Sequence, residues 1–249
     1  MLSPSHQDAA IRSTFLDGIR DFSISLVVSD VTAAYANLQA LPNWTAISRD
    51  GPQVLPASSG GVTAFKFRDP EGHPLEMLAF EPGARPTHWA FRSTNLCLGI
   101  DHSAISVADT GRSVAFYSRL GLARTASSLN IGREQEELDN LLGAVVEVTA
   151  LAPPTQAVPH VELLCYRGSF DRRQLLTNRN DVAATQLVFE VEPDALDAIV
   201  ARNRDTTISS STTAESGRLR VLLRDPDGHL LCLDAALQSS QPTNQQEMP

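Results

Sequence analysis

Lysine is almost missing from this chain. Lys66 is the single lysine among its 20 lysines and arginines, and that scarcity carries no functional reading by itself. Cysteine is scarce too. Cys97, Cys165 and Cys232 lie far apart, without the close pairs of a zinc finger or a redox motif, and fit buried free thiols in a reducing compartment. Positive charge is in short supply: the net charge of -9 excludes the basic footprint that nucleic acid or an anionic membrane would require. Residues 1–8 lack the basic-then-apolar order of a signal peptide, and no apolar run nears membrane-spanning length. A cytoplasmic protein with no nucleic-acid or membrane partner is the expectation.

Two stretches are nearly the same. Residues 68–76 read Arg-Asp-Pro-Glu-Gly-His-Pro-Leu-Glu, and residues 224–232 read Arg-Asp-Pro-Asp-Gly-His-Leu-Leu-Cys. In Asp-Pro-x-Gly, Asp caps a tight turn, Pro fixes φ at its second position, and Gly supplies the freedom to leave it. Flanked by apolar runs, each stretch predicts a β-hairpin. In the first repeat a strand over 22–28 precedes Asp30 and a helix over 31–41, carrying Ala34, Tyr35, Leu38 and Leu41 on one face. In the second, a strand over 98–107 precedes Asp109 and a helix over 110–120, with Val114, Tyr117 and Leu120 facing inward. Further strands follow over 122–131, 145–150 and 160–166, with a short helix over 134–142 between the first two. A third copy has a strand over 185–191, a helix over 194–201 and the second hairpin.

The fold expected is therefore α+β: three βαβββ units, at about 19–80, 98–166 and 183–236, paired to form a cupped mixed sheet. Residues 1–18 are read as a flexible lead-in, 81–97 as a linker and 237–249 as a disordered tail. Asp30 lies seven residues after Ser23, as Asp109 lies seven after His102, so those two strand positions are equivalent.

His102-x6-Asp109, the run Phe116-Tyr117-x2-Leu120-Gly121-Leu122, Val161-Glu162-Leu163 and the two Asp-Pro-x-Gly-His hairpins resemble the vicinal oxygen chelate superfamily. That superfamily includes glyoxalase I, extradiol dioxygenases, and fosfomycin and bleomycin resistance proteins. The resemblance covers nearly everything between residues 19 and 236. It implies that two units pair into a cup, with metal ligands on their first and last strands. Carried over, those positions are His102 and Glu162 in the second unit, Gln186 and Cys232 in the third, and Ser23 and Glu76 in the first. The metal ligands expected are His102, Glu162 and Gln186, with Cys232 and Glu76 as lesser candidates, and Glu162 is the expected proton-moving group. The plainer readings are a half-buried strand histidine, a strand-face carboxylate paired with arginine, and a small core cysteine. Asp69, Asp225, His73 and His229 are read as turn residues.

Units two and three, residues 98–236, are the natural pair, which leaves unit one unpaired within the chain and suited to a homodimer. The resemblance implies a divalent metal (Zn, Mn, Ni or Fe) and a lyase or isomerase acting on a small oxygen-rich metabolite. Ring cleavage fits less well, because no pair of units shows two histidines and a carboxylate. The alternative is a metal-free protein of the same fold that binds or sequesters a small molecule.

Overall fold

Both Asp-Pro-x-Gly stretches turn as their chemistry directs. In this computed structural model Asp69 Oδ1 accepts from the backbone N–H groups of Glu71 and His73, each at 2.9 Å. Asp225 Oδ1 does the same for Asp227 and His229, at 2.9 and 2.8 Å. Gly72 and Gly228 leave the turns at φ +92° and +94°, a region that favours glycine. The structure describes residues 23–81, 83–91, 93–155, 157–168, 186–213 and 217–236. The expected lead-in over 1–18 and tail over 237–249 lie outside them.

The chain divides into two units, Met1–Thr185 and Gln186–Pro249. In the first, strands β1 (Ser23–Val28), β2 (Thr45–Ala46), β3 (Gln53–Val54), β4 (Val62–Arg68) and β5 (Pro74–Phe80) accompany helix α1 (Val31–Gln39). A second module follows: β6 (Cys97–Ser106), α2 (Thr110–Arg119), β7 (Ala123–Ile131), α3 (Arg133–Asp139), β8 (Val145–Ala152) and β9 (His160–Tyr166). Asp30 and Asp109 cap their helices, accepting from the N–H groups of Ala33 at 3.0 Å and Arg112 at 2.7 Å. These strands form one mixed sheet in the order β2-β4-β5-β1-β6-β9-β8-β7, with β3 paired to β4.

That order corrects the expected pairing. The first module joins the second, not the second the third: β1 runs antiparallel to β6 with Ser23↔Ala104, Ile24↔Ser103 and Ser25↔His102 in register. Sheet continuity is decided by backbone donors and acceptors along the first strands, and a tally of ligand side chains is blind to it. The first module is not unpaired, and a dimer through it loses its basis, because β6 fills the edge of β1. Nor is 81–97 a plain linker. Thr87–Trp89 form a 3₁₀ turn that sends Trp89 into the core with Val27, Leu55, Ala64, Leu78 and Leu138.

Strand alternation sorts β4 and β5 into two faces. Phe65, Phe67 and Met77 pack with Ala34 and Leu38 of α1, which covers that face. Val62, Lys66, Glu76, Leu78 and Phe80 line a cavity on the other. On α1 the buried residues are Ala34 and Leu38, while Leu41 falls beyond the helix and is exposed. On α2 Phe116 and Tyr117 are buried, and Val114 is only partly so.

The second unit is a βαβββ module of its own. Its strands are β10 (Gln186–Glu190), β11 (Thr207–Thr213), β12 (Arg218–Arg224) and β13 (Leu230–Ala236), in the order β10-β13-β12-β11. Leu196 and Ile199 are buried from helix α4 (Pro193–Arg202).

Asp69→Ala removes the acceptor for two turn N–H groups and is expected to cost about 1–3 kcal/mol. Urea denaturation reads it, and an unchanged midpoint would show that Pro70 and Gly72 hold the turn alone.

Candidate metal centre

Parallel pairing within each module places one carboxylate beside the module's first strand. Glu76 of β5 lies in register with Ser25 of β1, and Glu162 of β9 with Ala104 of β6. The antiparallel β1–β6 seam then brings both modules' acids to one imidazole. His102 Nε2 lies 3.7 Å from Glu76 Oε2 and 3.4 Å from Glu162 Oε2. His102 and Glu76 are buried, at 6% and 8% exposure. The Ser25 hydroxyl donates to Glu76 Oε2 at 2.6 Å. The same register makes Ser23 the first module's counterpart of His102, so a serine that lines the cavity stands where a second imidazole would complete the symmetry.

A β-bulge adds a second layer. Ser25 pairs with His102 and Leu26 with Ile100, which leaves Asp101 as the extra residue of β6. The bulge turns Asp101 toward its neighbour, where regular alternation would send the two side chains apart. Asp101 Oδ2 meets His102 Nδ1 at 3.0 Å, and its Oδ1 accepts from Trp89 Nε1 at 2.8 Å. The Trp89 ring lies flush on Gly99, where an added Cβ would stand 2.9 Å from the indole. Trp89 therefore holds Asp101, and Asp101 holds His102 with Nε2 facing the glutamates. This is how a carboxylate fixes the tautomer of a ligating histidine. His160, in register with His102 on β9, places Nε2 3.3 Å from Glu162 Oε1 and its ring 5.2 Å from that of His102.

Burial works against the charge of His102, but Glu162, the Asp101 hydrogen bond and Glu76 outweigh it and raise its pKa to about 9. Burial likewise pushes the carboxyls of Asp101 and Glu162 up, yet both sit below their ordinary values. The hydrogen bond from His102 lowers Asp101; the charge of His102 and the His160 contact lower Glu162. In the same cavity, Lys66 Nζ donates to Asp139 Oδ1 at 2.6 Å, and Tyr166 Oη and Gln135 Nε2 donate to Asp139 Oδ2 at 3.1 and 2.6 Å. Burial disfavours the Lys66 ammonium, but Asp139 beside it more than compensates, and its pKa is raised.

Of the residues singled out in the sequence, Glu76, His102 and Glu162 converge. Gln186 and Cys232 do not join them in this sheet: they belong to the four-stranded one, Gln186 exposed at the start of β10 and Cys232 buried in β13 opposite Val188. Sequence reading missed Asp101, Trp89 and His160. His160 was legible, since it stands two residues before Glu162 and shares its strand face. Asp101 was not, because only the bulge brings it round.

Two groupings could hold a divalent ion. One is His102 Nε2 with Glu76 and Glu162, a nitrogen and carboxylate oxygens of the kind that suit Zn, Mn, Ni or Fe. The other is Asp101, His102 and His160, whose ligand atoms all lie within 4.8 Å of one another.

The fold is similar to that of solved structures. A glyoxalase family protein from Bacillus cereus superposes with a TM-score of 0.51 at 20% identity, over 59% of this chain and 99% of that one. Glyoxalase I from Zea mays does so with a TM-score of 0.57 at 15% identity, over 86% of this chain and 67% of that one. The chain has the vicinal oxygen chelate fold. No protein-family model and no curated protein matches the sequence. In this vicinal oxygen chelate sheet, the cavity of about 380 Å³ opens beside His102, Glu76 and Glu162 and is also lined by Lys66, Asn130 and Tyr166. No described helix is long and apolar enough to cross a membrane.

Trp89→Phe keeps the ring but leaves Asp101 Oδ1 without its donor, and a loss of about 1–3 kcal/mol is expected on denaturation. A variant as stable as the wild type would show that the indole N–H does not hold Asp101.

With divalent ions chelated away, the sign of the pH dependence follows from the raised pKa of His102. The protonated imidazole stabilises the folded state fully below its unfolded pKa near 6.5, and this is lost as pH rises through about 9. Ion-free protein should therefore lose roughly 1–3 kcal/mol of stability over that window. Denaturation at a series of pH values checks this against His102→Asn, which should lack the slope.

Proposed function

We propose that this protein is a divalent-metal-dependent enzyme, a lyase or isomerase acting on a small oxygen-rich metabolite. The observation that carries the reading is the convergence of His102 Nε2 with one carboxylate from each module, at 3.7 and 3.4 Å, in a cavity of about 380 Å³. That volume is at the small end of ligand sites. An ion held by His102, Glu76 and Glu162 would polarise a substrate oxygen and stabilise negative charge developing on it.

The chain's own residues supply the rest. Asp101 and Trp89 orient His102, and the Ser25 hydroxyl steadies Glu76. Glu162 is kept ionised and is the group that accepts a proton from a bound substrate, with His160 beside its other oxygen. One imidazole and two carboxylates suit lyase or isomerase chemistry, whereas oxygen activation recurrently uses two histidines and one carboxylate, which is the composition of the Asp101–His102–His160 group and corrects the expectation that the chain lacks such a set. The Asp101–His102–His160 group is the specific observation behind a second reading, in which those three hold the ion and Glu76 does not. A third reading is a metal-free binding protein that uses the cup alone, which the serine at position 23 favours.

Elemental analysis and metal titration separate these. Wild type should hold one divalent ion per chain. His102→Ala should abolish binding, Glu76→Gln should weaken it at least tenfold, and Cys232→Ser should leave it unchanged. Loss in His160→Ala with binding kept in Glu76→Gln would move the ion to the second grouping. No ion in wild type, with small-molecule binding retained, would leave the metal-free reading.

A further inference from the structure

The chain's one lysine is placed inside the cup, where lysine is least at home. Lys66 projects from β4 and reaches Asp139 on α3, with 15% and 1% of the two side chains exposed. The two partners are not equally satisfied. Asp139 has both oxygens served, Oδ1 by Lys66 and Oδ2 by Gln135 and Tyr166. The Lys66 ammonium has three N–H groups, and among the described residues its one hydrogen bond goes to Asp139.

Its position makes the spare donors useful. Lys66 lies directly across the β4–β5 ladder from Glu76, which puts their Cβ atoms about 5 Å apart on the cavity face. Both side chains line the cavity that holds His102 and Glu162, as do Tyr166, Gln135 and Asn130. Gln135, on the same helix, and Tyr166, of the same module, serve Oδ2 with neutral donors, and Lys66 reaches Oδ1 from the first module. Where the ammonium faces the cavity, a bound anion can replace the solvent that serves its remaining N–H groups.

We propose that Lys66 is a specificity residue that receives an anionic group of the substrate, a carboxylate or a phosphate, while the substrate's adjacent oxygens meet the metal centre. The substrate class is then a small hydroxy- or oxo-acid bearing a second anionic group. This rests on the metal-centre reading above. Asp139 opposes the incoming anion and competes with it for the ammonium, and that competition separates a ligand site from a structural tie.

Calorimetric titration of metal-loaded protein with lactate, malate and 3-phosphoglycerate tests it. All three are α-hydroxy acids, and only the last two carry a second anionic group. Wild type should bind malate or 3-phosphoglycerate about tenfold more tightly than lactate, the scale of one charge-assisted hydrogen bond; whichever is preferred identifies the anion. Lys66→Met should erase the preference and leave lactate unaffected. Asp139→Asn should strengthen it severalfold, whereas a purely structural Lys66–Asp139 tie predicts no gain. Equal affinity for all three acids in wild type, or no gain in Asp139→Asn, overturns the assignment. Repeating the titrations without metal keeps the two readings apart. Binding that does not depend on the ion counts against the metal centre alone, because the preference for the second anion is read independently of it.

Discussion

The antiparallel seam between β1 and β6 is the constraint on which the site depends. Each module bonds its last strand in parallel to its first, so Glu76 stands beside Ser25 and Glu162 beside Ala104. Joining the first strands antiparallel relates those two carboxylates by a local two-fold centred on the Ile24–Ser103 pair, and both approach His102. The seam departs from regular pairing at the Asp101 bulge, at Gly99 with φ +151°, and at a second register shift between Val27 and Val28. Backbone pairing places the acids, and the side chains follow from strand alternation.

The modules are alike in backbone and unlike in chemistry. Ser23 occupies the place in the first module that His102 occupies in the second, and the outcome is a centre with one imidazole and two carboxylates. The second module adds what the first lacks. Its bulge brings in Asp101, the segment before β6 contributes Trp89, and Gly99 leaves room for the indole against the strand. His102 is thus held from behind by a hydrogen-bonded carboxylate and faced in front by two others. A buried imidazole in that surrounding keeps its proton, which an incoming divalent ion must displace.

Beside Glu76 the cavity lining has a different character. Lys66, Asp139, Gln135 and Tyr166 form a buried polar network contributed by β4, α3 and β9, so it spans both modules. It sets hydrogen-bond donors in the same cavity as His102, Glu76 and Glu162.

Much of this was written in the sequence. Turn chemistry at Asp69 and Asp225, helix caps at Asp30 and Asp109, and strand alternation are local, and local preferences survive into the fold. They located every helix of the described residues within a few positions and registered Ser23 with His102. His102 and Glu162 were singled out by the resemblance to the vicinal oxygen chelate superfamily, not by these local patterns. Which modules share a sheet was not written there, because any two first strands offer equivalent backbone edges and the choice is made by the packing of the whole unit. For that reason the sequence did not show that Glu76 shares a sheet with His102, while Gln186 and Cys232 belong to another sheet. Asp101 depended on a bulge that reverses its alternation, Trp89 on a turn in an irregular segment, and the burial of Lys66 on an acid 73 residues away. The sequence by itself determined the modules; the tertiary structure alone decided their pairing, because that pairing is a contest between distant backbone edges that no local pattern records.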